Sequence, residues 1–153
     1  YGNLCQRVTA FAIKNCDGKI PLEVKFNDED LLILNKYKDN LDNIRLQIDD
    51  QNINFYIDYI VNSLFEANKY FNDQEPWKKK DDQIRLNTII YTTLEILRKI
   101  SLLLYPIIPE SSLKVLNIFD IGEKKVELNS ISDNEYLIKG KKLNKIDILF
   151  KKI

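Results

Sequence analysis

The stretch that decides the fold is Asp82–Pro106, DQIRLNTIIYTTLEILRKISLLLYP. Its apolar residues recur at intervals of three and four, the repeat expected of an α-helix that buries one face. The positions on that face are Leu86, Ile89, Ile90, Leu94, Leu97 and Leu104. Asp81 or Asp82 is suited to cap the start of this helix, and Pro106 ends it because proline lacks the backbone N–H that a helix needs.

Two helices are predicted near the start of the chain. The first runs from about Tyr1 to Asn15, and Gly18 provides its stop signal. The second follows Asn27, which is expected to cap it together with Asp30 in a capping-box-like arrangement. The predicted core positions of these two helices are Leu4, Val8, Phe11, Leu31, Leu34, Tyr37, Leu41 and Ile44.

A third helix is predicted to begin near Asp50 and to end near Phe71, and a loop containing Pro76 separates it from the decisive stretch. Pro109 suits the first position of a short fifth helix that reaches about Phe119. The predicted core positions of the third helix are Ile53, Ile57, Ile60, Val61, Leu64, Phe65 and Ala67. Short connections of this kind favour a compact helical bundle.

The helical period fails after residue 119, where Gly122 and Gly140 punctuate a lysine-rich tail. Its short apolar pieces, Tyr136–Ile138 and Ile146–Phe150, are expected to lie against the bundle as strands. The predicted fold class is all-α, with about five helices and an irregular C-terminal tail. We divide the chain into a helical domain over residues 1–119 and a tail over residues 120–153.

Composition excludes several classes of function. Of the 153 residues 44% are hydrophobic, enough for one packed core. Histidine is absent and there are two cysteines, which removes histidine acid–base catalysis, serine– or cysteine–histidine nucleophiles and most zinc sites. The carboxylate pairs Asp49–Asp50 and Asp81–Asp82 stand where helices start, so capping explains them. We therefore predict neither catalytic residues nor a metal site.

Location and completeness are predicted from other absences. The two cysteines are expected to be reduced thiols, and the sequence shows neither a signal peptide nor a membrane-spanning apolar run, so we expect a cytoplasmic protein without a membrane partner. The chain also contains no methionine, even at position 1. We therefore expect it to be a fragment of a longer protein.

Formal net charge is zero, but the charges are unevenly distributed. Residues 1–76 carry 8 basic and 13 acidic side chains, whereas residues 77–153 carry 15 basic and 10 acidic ones. A polyanion-binding domain needs only a local basic patch, but segregated charges are equally consistent with an ordinary solvated surface. Charge alone does not decide between these interpretations.

The first predicted helix carries a polar stripe beside its apolar face. The stripe consists of Asn3, Arg7, Ala10 and Lys14, which share one side of a helix with 100° between residues. An amide and a guanidinium one turn apart are able to hydrogen-bond the polar edge of a nucleobase. An ordinary solvated helix face would look the same, so the helix by itself leaves both interpretations open.

The loop QEPWKKK at residues 74–80 holds Trp77, the only tryptophan, followed by Lys78, Lys79 and Lys80. An exposed indole is suited to stack on an unpaired RNA base, and adjacent ammonium groups, with Lys14 on the first helix, are suited to phosphates. The alternative is a tryptophan that closes the end of the bundle beside a solvated charge run. These residues alone leave the two interpretations equally supported.

Four stretches resemble the C-terminal anticodon-binding domain of methionyl-tRNA synthetases, which are class I aminoacyl-tRNA synthetases. They are GNLCQRV at residues 2–8, KNCDGKIP at 14–21, ANKYFNDQEPW at 67–77 and LEILRKISLLLYPIIP at 94–109. The stretch at residues 67–77 is the most specific of the four. Residues beyond 119 match the family's pattern poorly, and the closing ILFKKI resembles the C-terminus of its short members.

The resemblance implies a helical bundle that reads the CAU anticodon of a methionine tRNA. It implies that Asn3 and Arg7 read the first anticodon base and that Trp77 stacks on an anticodon base. The full enzyme would attach methionine to its tRNA in translation, using ATP and Mg bound by a catalytic domain that this chain lacks, so the chain alone is expected to be inactive and to hold no cofactor. The alternatives are an anticodon domain of a cysteinyl, leucyl, isoleucyl or valyl synthetase, and a helical protein-interaction module.

Overall fold

A computed structural model describes residues 1–146 and 149–150. Within them the chain forms five α-helices and three short 3₁₀ turns, and no β-strand. The predicted all-α class is confirmed, whereas the strands expected in the tail are absent from the described residues. The helices are α1 (Gly2–Asn15), α2 (Asp28–Asp49), α3 (Ile53–Gln74), α4 (Gln83–Leu104) and α5 (Pro109–Ile118), and the 3₁₀ turns are Pro76–Lys78, Glu123–Lys125 and Leu128–Ser132.

Helix α4 is the central element of the bundle. Every residue from position 88 to position 104 is buried, including all the core positions predicted for it in that range. Helices α1 and α3 both run antiparallel to α4: the Tyr1 hydroxyl lies 2.6 Å from the Ser101 hydroxyl, and the Tyr56 hydroxyl donates to the carbonyl of Leu103. Helices α1 and α3 therefore run in the same direction, and the Phe11 ring of α1 contacts the Phe71 ring of α3, with centroids 5.9 Å apart.

The predicted caps set the helix ends. The Asn27 side chain accepts from the Asp30 N–H at 3.0 Å and Asp30 accepts from the Asn27 N–H at 2.9 Å, which confirms the capping box of α2. Asp82 caps α4 by accepting from the N–H of Arg85. Asn52 caps α3, so that helix begins after residue 52 rather than near residue 50, and it continues to Gln74. Pro109 occupies the first turn of α5 as predicted.

The prediction of the core face of α3 is partly wrong. Ile53, Ile57, Val61 and Phe65 are exposed, with Phe65 at 70% exposure, whereas Ile60 and Ala67 are buried. A series at four-residue spacing turns about 40° per step, so it winds away from a straight buried face. The buried face is instead formed by Tyr56, Ile60, Ser63, Ala67, Tyr70 and Phe71. Leu31, predicted as core on α2, is also exposed.

Buried charged side chains of α4 hold the irregular tail. Arg98 bonds Glu95 at 2.8 Å and donates to the carbonyls of Ser130 and Asp133, while Glu95 accepts from the N–H of Leu137. Glu95 and Arg98 are completely buried. Because the described part of the tail forms only short 3₁₀ turns, many of its backbone groups have no partner within a helix or sheet, and these buried charges supply partners for several of them.

A second contact joins the tail to the segment after α1. Ile20 N–H donates to Lys141 at 2.8 Å, and Gly140 N–H donates to the Ile20 carbonyl at 2.7 Å. Gly18, with φ of 68°, makes the left-handed turn expected at the end of α1. The Phe150 ring lies against Gly2, and of the predicted piece 146–150 residues 147 and 148 lie outside the described residues, as do residues 151–153. None of the described helices has the length and apolarity to cross a bilayer.

Candidate nucleic-acid interface

Arg7 of the polar stripe on α1 and Trp77 of the loop both pack against one buried aromatic ring, that of Phe71. The guanidinium carbon of Arg7 lies 5.0 Å from the ring centroid of Phe71, and the Trp77 ring lies 6.3 Å from the same ring. Phe71 is 1% exposed and Trp77 is 43% exposed. Arg7 and Trp77 therefore contact the same ring, and the indole is half-exposed. Base stacking by Trp77 and its alternative, a tryptophan that closes the end of the bundle, both stay predictions.

Arg7 lies at the surface because α1 buries the neighbouring face of the helix, formed by Leu4, Cys5, Val8, Thr9 and Ala12. The Arg7 Nη2 atom donates to the Asn68 Oδ1 atom on α3 at 3.5 Å, and the Asn68 amide donates in turn to the Leu64 carbonyl at 2.9 Å. A guanidinium has five N–H donors, and this single long contact leaves donors for a ligand. Arg7 is therefore oriented by α3 and remains able to bind.

Asn3 lies one turn before Arg7 on the exposed side of α1, about 6 Å away along the helix axis. It lines a groove of about 280 Å³ at the start of the helix. The other residues of that groove are Tyr1, Gly2, Gln6, Leu149 and Phe150. The structure thus places Asn3 one turn from Arg7 on the exposed side of α1. Leu149 and Phe150 of the tail line the groove beside Asn3.

The Trp77 loop has a defined backbone. Glu75 ends α3 in the left-handed conformation, with φ of 45°, and buried Pro76 begins a 3₁₀ turn that directs Trp77 outward. The Trp77 ring then packs at 65° against the Phe71 ring, and the residue keeps 43% exposure. The loop therefore presents one aromatic surface to solvent.

The predicted phosphate-binding lysines differ in their surroundings. Lys78 forms an exposed ion pair with Glu75 at 2.7 Å, which reduces its charge for a ligand. Lys79 is half-buried, whereas Lys80 is exposed beside the start of α4. Lys14 is exposed in the last turn of α1. Lys80 and Lys14 are the better placed of the four, and phosphate binding by any of them stays a prediction.

Sequence reasoning missed the residues that support this surface. From the sequence, Phe71 is predicted only as the end of α3, Asn68 only as part of the 67–77 stretch, and Asp30 only as a cap. In the structure Asp30 also bonds Arg85, with distances of 2.7 and 3.0 Å between the two pairs of atoms. These contacts join residues that are distant in sequence, so helix periodicity gives no signal for them.

The two cysteines offer no nucleophile at neutral pH. Burial raises the pKa of the Cys5 thiol to about 12, and burial followed by the charge of Asp17 raises the pKa of the Cys16 thiol to about 11. Both thiols are free. Because their pKa values are raised well above neutral, they are protonated under ordinary conditions. In residues 1–146 and 149–150, no cluster of three or more His, Cys, Asp or Glu side chains is placed to hold a metal ion.

The chain matches known proteins over most of its length. Residues 20–153 match a family model described as the anticodon binding domain of methionyl tRNA ligase. A methionine–tRNA ligase of Brucella suis is 38% identical over 125 residues, covering 81% of this chain and 24% of the relative. One from Mycobacterium leprae is 34% identical over 137 residues, covering 86% of this chain and 26% of the relative.

Solved structures show the same similarity. The Mycobacterium tuberculosis methionyl-tRNA synthetase bound by methionyl-adenylate matches with a TM-score of 0.89 and 31% identity, over 98% of this chain and 30% of that one. The free form of that enzyme matches with a TM-score of 0.88 and 30% identity, over 97% of this chain and 31% of that one.

By class the chain is a helical anticodon-binding domain of an aminoacyl-tRNA synthetase. It belongs to the family of anticodon-binding domains of methionyl-tRNA ligase. The matches do not favour the alternative synthetases or the protein-interaction module. The family match continues to residue 153, so the expectation that residues beyond 119 fit the family poorly is wrong. The chain spans about a quarter of the length of these curated relatives.

Proposed function

We propose that this chain binds the anticodon loop of a methionine tRNA and reads the first base of its CAU anticodon. In this proposal Arg7 and Asn3 hydrogen-bond the edge of the cytosine, and Trp77 stacks on an anticodon base. Lys14, Lys78, Lys79 and Lys80 contribute to phosphate binding. Lys14 and Lys80 are exposed, whereas Lys78 is paired with Glu75 and Lys79 is half-buried. The family membership and the positions of these side chains support the proposal.

The observation that carries it is the packing of Arg7 and Trp77 on the single ring of Phe71. Reading an unpaired base requires hydrogen-bond donors for its edge and a flat surface for its face. Here the Arg7 guanidinium, with its several donors, and the half-exposed Trp77 indole each pack against the same buried ring. A solvated helix face has no need for an arginine fixed on an aromatic ring next to a second, exposed aromatic ring.

The wider role follows from the relatives. We propose that the chain is part of a methionine–tRNA ligase, which joins methionine to tRNA in translation in the cytoplasm. The ATP and Mg used by that reaction would be bound by the remaining three quarters of such a protein, in a catalytic domain linked in cis. The Mycobacterium tuberculosis relative bound by methionyl-adenylate fits this assignment, because methionyl-adenylate is the product, with pyrophosphate, of methionine activation by ATP.

The direct test is the binding of two RNA hairpins that differ only in the first anticodon base, CAU and UAU. Because Trp77 is the only tryptophan, quenching of its fluorescence reports stacking without a label. We expect the CAU hairpin to bind more tightly by about 1–3 kcal/mol, the range for a good bidentate base contact. Equal affinities for the two hairpins would contradict first-base reading, and no binding of either would contradict RNA recognition by this chain.

A further inference from the structure

A buried polar cluster lies beneath the Trp77 loop. The Asp30 carboxylate, which is completely buried, accepts from both terminal nitrogens of Arg85 at 2.7 and 3.0 Å and from the Tyr70 hydroxyl at 2.5 Å. The capping contact with the Asn27 N–H adds a fourth donor. A buried carboxylate is tolerated only when its oxygens are satisfied in this way, so the cluster has a fixed geometry.

Arg85 connects this cluster to both ends of the loop. Its Nη2 atom donates to the Gln74 Oε1 atom at 2.5 Å, and Gln74 is the last residue of α3 before the loop. Its backbone N–H donates to Asp82, the residue at which the loop ends and α4 begins. One arginine therefore ties the entrance of the loop to its exit, with the buried Asp30 as the anchor.

The ends of three helices meet at this arginine. Asp30 lies in the first turn of α2, Gln74 in the last turn of α3 and Arg85 in the first turn of α4. The Gln74 amide also donates to Glu29 of α2 at 2.5 Å. Lysine would not replace Arg85, because only a planar guanidinium donates in several fixed directions at once.

We propose that Asp30, Arg85 and Gln74 form a clamp that positions Trp77 for stacking on the RNA base. The clamp residues are positioning residues that act through the loop, and none of them needs to contact RNA. The proposal rests on the proposed function for its RNA consequence, but the position of the loop is a property of the free chain. A loop already held in its binding conformation loses less entropy when RNA binds, which is the advantage of preorganisation.

The test uses Gln74→Ala in the full 153-residue chain. This change removes the Gln74 side-chain amide that accepts from Arg85 and leaves the buried Asp30–Arg85 ion pair intact. We therefore expect the variant to fold. Gln83→Ala is the matched control, because Gln83 is an exposed glutamine at the other end of the loop and bonds Asn87 on its own helix. Arg85→Lys is the second variant, which keeps the charge opposite Asp30 and removes the fork.

The first measurement needs no RNA. We expect Gln74→Ala and Arg85→Lys to lower the fluorescence anisotropy of Trp77 and to increase its quenching by acrylamide, with circular dichroism unchanged for Gln74→Ala. Gln83→Ala should leave both fluorescence values unchanged. Identical anisotropy and quenching in Gln74→Ala and the unchanged chain would overturn the clamp, whatever the chain does with RNA.

The second measurement tests whether the clamp affects RNA binding through the position of Trp77. We expect Gln74→Ala to weaken CAU hairpin binding about tenfold, equivalent to ordering one or two side chains. In a Trp77→Ala background the same change should cause no further loss, because the loop then has no indole to position. Affinities in that background are measured by the anisotropy of a dye-labelled hairpin, because the variant has no tryptophan. A full additional tenfold loss in that background would overturn the proposal. If the unchanged chain binds no hairpin, the proposed function is wrong, while the fluorescence result still decides the clamp.

Discussion

Replacing Phe71 with leucine tests the shared ring that supports the recognition surface. Leucine keeps the site apolar but removes the flat face beneath Arg7 and the ring contacts with Trp77 and Phe11, the latter at 5.9 Å and 89°. Aromatic pairs contribute about 0.5–1.5 kcal/mol each, and an exposed cation–π contact about 0.5–1 kcal/mol. We therefore expect the free energy of unfolding to fall by about 1.5–4 kcal/mol.

The effect of Phe71→Leu on RNA binding is expected to be separate from this loss of stability. Arg7 and Trp77 would each have to be ordered on binding, at about 0.5–1.5 kcal/mol per side chain. Hairpin affinity should then fall about five- to thirtyfold, corresponding to about 1–2 kcal/mol. Titration of the CAU hairpin by tryptophan fluorescence, at a temperature where circular dichroism shows the variant to be folded, gives the value.

Phe55→Leu is the matched control for this change. Phe55 stacks on Tyr59 at 6.4 Å near the other end of α3, so its replacement also removes an aromatic pair. It should lower the melting temperature and leave hairpin affinity unchanged. If Phe71→Leu is destabilised but binds the hairpin as tightly as the unchanged chain, Phe71 is only a core residue and our reasoning about the shared ring is refuted.

Three other changes address separate parts of the molecule. Trp77→Ala should weaken CAU hairpin binding by about 1–3 kcal/mol, measured by the anisotropy of a dye-labelled hairpin because the variant has no tryptophan. Its stability should fall only by about 0.5–1.5 kcal/mol, the contribution of the lost contact with Phe71, and a much larger drop would instead assign Trp77 to the core. Lys80→Ala should weaken binding to all hairpins alike and reduce the slope of log affinity against log salt by about 0.7, whereas Lys38→Ala on α2 should not; an unchanged slope would argue against a phosphate contact. Burial, with the charge of Arg98, lowers the pKa of Lys99 to about 7, so between pH 7 and about 10 the unfolded chain binds a proton that the folded chain lacks, and stability should rise with pH. Thermal melts at pH 7 and pH 8.5 should show this rise in the unchanged chain and a smaller one in Lys99→Met, and equal rises would exclude Lys99 as the cause.

The sequence was sufficient for features that depend on neighbouring residues. Asn27 with Asp30 and the apolar repeat of α4 each fall within a few helical turns, where capping and periodicity give direct signals. The same is true of the stripe holding Asn3 and Arg7, whose phase on α1 follows from helix geometry alone. These are local rules, and they hold before any tertiary contact forms.

The features that were missed depend on contacts between distant segments. Helix α3 has apolar residues on two faces, and the sequence cannot tell that Ile60 will be buried and Phe65 exposed until α1, α2 and α4 take their places. The pairing of Asp30 with Arg85 joins residues 55 positions apart. Glu95 and Arg98 of α4, which bond the tail, look like solvated positions in the sequence, because their backbone partners in the tail are not visible there.

The central claim is that Arg7 reads the first anticodon base rather than the RNA backbone. It is tested most directly by the ratio of affinities for the CAU and UAU hairpins, measured for Arg7→Ala beside Arg45→Ala, an exposed arginine on α2. We predict that Arg7→Ala brings the ratio close to one by removing about 1–3 kcal/mol of discrimination, while Arg45→Ala keeps the ratio of the unchanged chain. A ratio that survives in Arg7→Ala, with both hairpins weakened equally, would show that Arg7 contacts phosphate and does not read the base.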